Sequence, residues 1–411
     1  MWNTLHSSFN TTLHHQVDIS ILDEIGNKQV TTWAPFSKKE FKIALENYKN
    51  SSTPRLDKLS WNYLKIILTD DVCITYIIKI ANACIDLGYW PNHFKRSSTV
   101  IIPKPNKSSY DLPKSFRPIV LLNTLGKLIK KVIGERIQFH VIANDFIHPS
   151  QLGSLKFKST IDVGIVFTYI IWSGWTKDLL TSTLAFDIVQ FFLSLNHWFL
   201  TWIIHKAGLD TRVIKFFNNY LIKKKTNYLW NNFSSPIFNI NIGVGQGSTL
   251  SPILLALYLF PFLFILEKHL KNLNIPVSII SQNKSFDISN SYLFCSYNVM
   301  TNLLDKFGLV VEHLKTEVFH FSRSHGPFNP LPLNLSFLDG PILTSKNSWK
   351  YLGFIFDRKL TFYQHVDLYS NRALSLVKCM KMLGNSLCDI SLLQKWLLYR
   401  CCIFPITLYR F

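Results

Sequence analysis

The sequence predicts an α+β fold with more than one compact unit. Stretches whose apolar residues recur at helical spacing alternate with short runs rich in β-branched residues, as expected for a mixed fold. With 411 residues the chain is long enough for two or three subdomains. Hydrophobic residues make up 48% and aromatic residues 14% of it, which argues against extended disorder. We therefore expect a large buried core.

The charge balance favours a polyanionic partner. Lys and Arg number 44 against 25 Asp and Glu, a formal charge of +19. Such an excess in a globular chain most simply indicates nucleic acid, with an acidic membrane surface as the second interpretation. The basic residues are spread along the chain and Lys223–Lys225 is the one tight triplet, so a merely solvated basic surface stays open as the alternative.

Cysteine usage and hydropathy exclude several other classes. The seven cysteines form no CxxC pair and the 13 histidines lack ligand spacing, so neither a disulfide framework nor a zinc site is expected. An intracellular location, nuclear or cytoplasmic, follows, and the N-terminus lacks the pattern of a signal peptide. The most apolar run, Ile253–Leu266, is interrupted by Pro261 and is shorter than the roughly 20 residues of a membrane span. It is expected to be a buried helix, with no stable membrane association.

Local signals predict the elements in order, after a leader (1–34) without clear periodicity. A capping box of Ser37 and Glu40 opens the first helix. The expected elements are helix 37–49, a helix start at 57–64, helix 72–87 ended by Gly88, strands 97–105 and 115–122, helix 126–142, helix 160–172, a strand leading to Asp187, a helix start at Ser194, helices 196–206 and 211–223, and helix 253–266.

Three local patterns carry candidate chemistry. Asp187 follows the buried run Leu184–Phe186, a common way to hold a metal-binding carboxylate, although it could simply end a strand. Lys104 and Arg117 lie at the ends of two neighbouring strands and suit a triphosphate or a nucleic-acid backbone. The three glycines of Ile242–Pro252 let the backbone approach a ligand closely, and Gln246 within this run can contact a base or sugar. A plain glycine turn before a helix is the alternative.

Six short motifs follow one another along the chain. They are VIIPKP (100–105), SFRPI with two leucines (115–122), AFD (185–187), GQGSTLSP (245–252), Gly308-Leu309 with Lys315-Thr316, and Tyr351-Leu352-Gly353. In their order and spacing they resemble the reverse transcriptase domain of non-LTR (LINE-type) retrotransposons, from about residue 35 to the C-terminus. The resemblance implies a right-hand polymerase with fingers, a palm with an antiparallel sheet, and the start of a helical thumb. The corresponding ranges are 35–180 for mainly fingers, 181–358 for the palm and 359–411 for a truncated thumb-like segment.

The resemblance also implies roles for individual residues. RNA-templated DNA synthesis would use two Mg²⁺ ions, an RNA template, a DNA primer or RNA–DNA duplex, and deoxynucleoside triphosphates. By motif, the implied roles are metal binding for Asp187, proximity to the leaving pyrophosphate for Lys315, packing under the sugar for Phe192, contact with nucleotide and template for Gln246 and Gly247, and triphosphate binding for Arg117 and Lys104.

The main departure from the family is the missing pair of aspartates. A hairpin whose turn carries aromatic-x-Asp-Asp is expected near residues 277–285, where the sequence contains no acid. Val277–Ile280 resembles the first strand of that hairpin joined directly to what should follow the second, as after an in-frame deletion. One carboxylate cannot anchor two divalent ions, and Asp287 lies past the hairpin. We therefore expect impaired or absent catalysis.

Smaller departures point the same way. Arg55, Gly245 and Lys130 stand where the family usually has Gly, Pro and Glu, no endonuclease segment precedes the domain, and the chain stops where the family continues. These features suggest a degenerate, truncated copy of the element, with a sheet destabilised by its lost hairpin. Two other functions stay open, a non-catalytic RNA- or DNA-binding remnant and a membrane-associated protein.

Overall fold

The chain forms two units in the computed structural model. The described residues are 2–10, 17–50, 57–105, 107–275, 280–324, 332–335, 341–384 and 391–408. The first unit comprises Met1–Lys156, Ile188–His269 and Met300–Val311, and the second comprises Phe157–Asp187, Leu270–Val299 and Glu312–Phe411. The predicted mixture of helices and sheets is confirmed.

Helices supply most of the regular structure. They are α1 (Trp2–Phe9), α2 (Lys38–Glu46), α3 (Trp61–Ile67), α4 (Asp71–Asp86), α5 (Asn92–Lys95), α6 (Thr124–Ala143), α7 (Thr160–Trp175), α8 (Phe191–Ser194), α9 (His197–Lys206), α10 (Thr211–Leu221), α11 (Ser251–Asn272), α12 (Phe286–Lys306), α13 (Tyr363–Gly384), α14 (Leu392–Leu398) and α15 (Phe404–Thr407). Short 3₁₀ turns cover Ile19–Glu24, Pro113–Ser115 and His313–Lys315, and a π turn covers Tyr399–Ile403.

The strands are short. They are β1 (Arg96–Pro103), β2 (Phe116–Leu121), β3 (Leu180–Ala185), β4 (Lys224–Trp230), β5 (Phe233–Ile240), β6 (Ile280–Asn283), β7 (Glu317–Phe321), β8 (Leu333–Asn334), β9 (Ile342–Leu343), β10 (Ser348–Tyr351) and β11 (Phe354–Asp357).

The first unit holds a four-stranded sheet in the order β2-β1-β4-β5. Strand β1 pairs antiparallel with β2 and parallel with β4, while β4 and β5 form a hairpin that the sequence did not predict. One face packs on α1, where Leu5 and Phe9 join Ile101, Phe116 and Tyr228 in an apolar cluster. Described residues of the expected leader thus contribute to this core.

The second unit is built on the antiparallel sheet β6-β3-β7. Helix α7 packs against it and against the β10–β11 hairpin. The buried residues of this cluster are mostly aromatic and comprise Phe167, Ile171, Trp175, Phe319, Phe321, Trp349, Phe354, Phe356 and Leu360. Because large aromatic side chains bury much apolar area, this small sheet depends on them for its stability.

Most predicted boundaries are confirmed, and two helix starts are wrong. The capping box of Ser37 with Glu40 opens α2 as expected. Ser194 does not start a helix but ends α8, and the next helix is capped by Asn196, whose side chain accepts from the Phe199 amide at 3.0 Å. The helix expected from residue 57 begins at Trp61 with Ser60 as its cap, because the Ser60 hydroxyl accepts the orphan Tyr63 amide.

The predicted apolar helix is confirmed as α11. By length and composition it could cross a membrane, and among the described residues it is the one helix that passes this test. Its most apolar window is 67% buried within the protein, and Pro261 lies inside the helix. These features are typical of a core helix.

Replacing Phe321 with alanine should strongly destabilise the second unit. The side chain is fully buried, and its ring contacts Phe167, Phe319 and Phe356 at centroid distances of 4.9–6.3 Å. We expect the free energy of unfolding to fall by about 3–5 kcal/mol, measured by urea denaturation followed by tryptophan fluorescence. The matched control Phe157→Ala alters a ring that is 92% exposed and should change little. Equal effects of both variants would contradict this assignment of the core.

Candidate functional site

Asp187 stands two residues beyond β3. Both neighbours of β3 run antiparallel to it, so they begin at the end of the sheet that Asp187 follows. Strand β6 starts with Ile280 opposite Thr183, and β7 starts with Glu317 opposite Ala185. The predicted strand that delivers one carboxylate is therefore present.

Asp187 is paired with Lys315. The Lys315 ammonium donates to Asp187 Oδ2 at 2.8 Å and lies 3.8 Å from Glu312 Oε2. A backbone hydrogen bond also joins the two segments, because the Glu312 amide donates to the Asp187 carbonyl at 2.8 Å. Asp187 and Lys315 side chains are each 56% exposed, so solvent screens the pair and it contributes about 0–1 kcal/mol. The structure thus brings together the two predicted catalytic residues, while their roles stay predictions.

The described residues do not fit a two-metal site. Two divalent ions require several carboxylate oxygens. Here the Asp187 and Glu312 carboxylates share the Lys315 ammonium, and Glu317 pairs with Lys346 and accepts from the Trp349 indole. No cluster of three or more His, Cys, Asp or Glu suited to a metal ion occurs among the described residues.

The hairpin region supplies no further acid by sequence. Only seven residues, 273–279, connect α11 to β6, and the sequence from 268 to 286 contains neither Asp nor Glu. Residues 276–279, including most of the predicted Val277–Ile280 fusion point, lie outside the described residues. The part that is described, β6, is antiparallel to β3 and therefore runs away from the Asp187 end of the sheet.

Three of the predicted substrate-binding residues line one cleft of about 650 Å³ in the first unit. These are Phe192, Gln246 and Gly247. The other lining residues are polar or basic for the most part: Asn47, Tyr48, Lys127, Lys131, Ser248, Thr249 and Pro252. The volume lies within the range of roughly 300–1,000 Å³ that small-molecule pockets occupy.

Backbone hydrogen bonds hold this cleft together. The Val244 amide donates to the Phe192 carbonyl at 2.7 Å, which fixes α8 against the loop that precedes α11. The Val120 amide of β2 donates to the Gln246 carbonyl at 2.8 Å on the other side of that loop. Phe192 and Gln246 are therefore positioned by main-chain contacts.

Two glycines of this loop allow close contact with the backbone of other segments. Gly247 has φ +113°, and a Cβ there would lie 2.7 Å from the Val120 carbonyl oxygen. Gly243 has φ +74°, and its Cβ would meet the Leu193 backbone at 2.6 Å. Other residues would be strained at both positions. The predicted close approach thus exists, but the partner at both glycines is the protein's own backbone.

Lys104 and Arg117 share the β1–β2 hairpin but do not line the cleft. Arg117 lies opposite Ile102 with its side chain exposed. Lys104 follows β1, and its ammonium donates to the Lys114 carbonyl at 2.7 Å. Their predicted contact with a triphosphate stays a prediction.

Sequence reasoning missed four lining residues of the cleft, namely Asn47, Tyr48, Lys127 and Lys131. Lys127 and Lys131 are one turn apart on α6, and this i, i+4 spacing inside the predicted basic helix was the available signal. Tyr48 stacks on Trp61 at 3.6 Å, and burial, followed by the nearby Glu135 charge, raises the pKa of its hydroxyl. The Lys127 ammonium lies 6.0 Å from the Tyr48 ring centroid. The cleft therefore combines cations with aromatic faces, as nucleotide sites do.

Residues 102–356, more than half of the chain, match the family of reverse transcriptases described as RNA-dependent DNA polymerases. The chain belongs to this family, and the predicted relation to the reverse transcriptases of non-LTR retrotransposons is confirmed.

Similar curated proteins include three from insects. One is the probable RNA-directed DNA polymerase from transposon BS of Drosophila melanogaster, 24% identical over 98% of this chain and 45% of the relative. Another is the RNA-directed DNA polymerase from mobile element jockey of Drosophila funebris, 22% identical over 90% of this chain and 40% of the relative. The probable RNA-directed DNA polymerase from transposon X-element of Drosophila melanogaster is 24% identical over the same shares. The chain spans less than half the length of these relatives.

Gly247→Ala should destabilise the first unit more than an ordinary glycine substitution. The new methyl group would meet the Val120 oxygen, and the positive φ would be strained. We expect a loss of about 2–4 kcal/mol in unfolding free energy, measured by chemical denaturation. Gly153→Ala is the matched control, because a Cβ there meets nothing within 4 Å. An equal response of the two variants would rule out the Val120 contact as the reason for glycine.

Proposed function

We propose that this chain is, by descent, the right-hand polymerase core of a retrotransposon reverse transcriptase that has lost most or all of its catalytic power. In this proposal residues 35–180 correspond mainly to fingers, 181–358 to the palm and 359–411 to a thumb-like segment. The template would be RNA, the primer DNA, and the monomers deoxynucleoside triphosphates. The proposed location is intracellular, nuclear or cytoplasmic.

The shortage of carboxylates at the end of β3 is the observation that carries this proposal. Phosphoryl transfer depends on cations that neutralise charge on the attacking and leaving oxygens. Asp187 can offer oxygen ligands, but its nearest described partner is the Lys315 ammonium at 2.8 Å, and the 273–279 connection contributes no acid. Mg²⁺ binds through oxygen ligands, and the other carboxylates described at this end of the sheet, those of Glu312 and Glu317, are paired with Lys315 and Lys346. This arrangement supports impaired catalysis.

Binding of nucleic acid or nucleotide can outlast catalysis, because it depends on other residues. The +19 formal charge favours phosphate backbones independently of any metal. The cleft of Phe192, Gln246 and Gly247, with its two lysines, suits a nucleotide or a strand segment. Lys104 and Arg117 would add charge at the β1–β2 hairpin, and Lys315 would have contacted pyrophosphate. A non-catalytic RNA- or DNA-binding remnant is therefore the second candidate.

Primer extension on an RNA template tests the proposed loss of catalysis. With Mg²⁺ or Mn²⁺ present, we expect no more product from the chain than from its Asp187→Asn variant, because the remaining ligands cannot hold two ions. A competent reverse transcriptase under the same conditions serves as the positive control. Robust extension by the chain that Asp187→Asn abolishes would refute the proposed loss of catalysis.

Binding to an RNA–DNA duplex tests the remnant function directly. We expect the logarithm of the binding constant to fall linearly with the logarithm of salt concentration, with a slope of about −0.9 per phosphate contacted. Replacing both Lys127 and Lys131 with Gln should reduce the magnitude of this slope by about 1–2 in a fluorescence anisotropy titration. The charge-matched control Lys39→Gln with Lys42→Gln, on α2, should leave it unchanged. Binding without salt dependence would exclude the electrostatic mechanism.

A further inference from the structure

A second, smaller cavity of about 60 Å³ lies inside the first unit. Lysines from three different elements line it: Lys95 at the end of α5, Lys130 in the middle of α6, and Lys224 at the start of β4. In the described chain none of the lining residues is Asp or Glu. We call this space the lysine cavity.

The lysines are enclosed rather than solvated. Lys130 is 1% exposed and Lys95 is 6% exposed, while Lys224 is half-buried. The Lys130 ammonium lies 5.9 Å from the ring centroids of Trp90 and of Tyr220, and the Lys224 ammonium lies 4.4 Å from the same Tyr220 ring. Within the described part of the chain, none of the three ammonium groups forms an ion pair with a carboxylate.

This arrangement leaves the charge of the lysine cavity uncompensated. Burying an ammonium without a counter-ion is unfavourable, and a cation–π contact offsets only part of this cost. Burial first, and then the neighbouring lysines, lowers the pKa of Lys130 and of Lys224 from 10.5 to about 7. Burial and the Lys223 charge also lower the pKa of Lys95.

Trp90 also lines the lysine cavity. The Trp90 indole N–H is buried and has no hydrogen-bond partner among the described residues. Lysine and tryptophan side chains donate and do not accept, so the missing partner must be an acceptor. Space for a water molecule needs about 10–15 Å³ on the same scale, so 60 Å³ admits a small tetrahedral oxyanion but not a nucleoside.

We propose that the lysine cavity binds a phosphate-type oxyanion, held by the ammonium groups of Lys95, Lys130 and Lys224. A tetrahedral anion supplies acceptor oxygens only, and its charge offsets the clustered cations. This site is separate from the 650 Å³ cleft, because Ser248 is the one residue that lines both. Its occupation needs neither divalent ions nor polymerase activity.

Thermal unfolding of the full chain at pH 6.5, without divalent ions, tests the proposal. Inorganic phosphate should raise the melting temperature in a saturable way at constant ionic strength, because a ligand that binds the folded state alone stabilises it. Lys130→Met and Lys130→Glu should each lose this shift, since one removes the cation and the other supplies an internal counter-ion. The control Lys107→Met, at an exposed loop position, should keep it. A shift that persists in both Lys130 variants, or no shift in the unmodified chain, would overturn the proposal.

The pH dependence of phosphate affinity, measured by calorimetry on the unmodified chain, tests the proposal even if the variants fail to fold. Phosphate affinity should fall at least several-fold from pH 6.5 to pH 9, because lysines with a pKa near 7 lose their charge over this range. Other titratable groups facing the cluster are Lys127 of α6, Lys223 beside β4, His197 of α9, Tyr220 of α10 and Tyr228 of β4. Ordinary surface lysines stay charged at pH 9, so an affinity that is unchanged or higher there would contradict binding in the lysine cavity.

The same thermal unfolding experiment with a nucleotide distinguishes free phosphate from the phosphate group of a larger ligand. Deoxythymidine monophosphate carries the phosphate group on a body larger than the cavity, so it should not reproduce the Lys130-dependent shift. If it does so as strongly as inorganic phosphate, the size argument fails, and the lysine cavity does not select free phosphate over a nucleotide.

Discussion

The antiparallel pairing of β3 with both of its neighbours determines what can surround Asp187. Both β6 and β7 begin at the end of the sheet that Asp187 follows. Before β7 stand Glu312 and Lys315, and the Lys315 ammonium forms an ion pair with Asp187. Before β6 stands a seven-residue connection without an acid. The proposed loss of catalysis therefore depends on this short connection, although the sheet itself is formed.

The sequence predicted elements correctly where the signal comes from neighbouring residues, and it identified site residues where ordered motifs contain them. The Ser37 capping box, the Gly88 stop of α4, which has φ +60°, and the apolar run of α11 each follow from neighbouring residues alone. Asp187 and Lys315 were identified by motif, 128 positions apart, and the structure brings them to 2.8 Å. Ser194 misled because a good capping residue also serves a helix end, where its hydroxyl donates to a nearby carbonyl.

The features that escaped prediction depend on distant partners. Strand β4 begins with two lysines and shows no clear alternation, and its identity comes from parallel pairing with β1 more than 120 positions earlier. The need for glycine at position 247 is set by a carbonyl of β2. The lysine cavity likewise gathers side chains from three separated elements. In the sequence Lys130 was noted only because it stands where the family usually has Glu, and its burial becomes apparent only once α6 is packed.

Manganese binding, measured by electron paramagnetic resonance, shows whether the chain can hold the metal ions of a polymerase, because it requires no primer, template or turnover. We expect the chain and its Asp187→Asn variant to retain the same small amount of weakly bound Mn²⁺. The described carboxylates beside Asp187 are paired with lysines, whereas two ions require several free carboxylate oxygens. Two tightly bound Mn²⁺ ions per chain that disappear in Asp187→Asn would refute the proposed loss of catalysis and would mean that other residues complete the metal site.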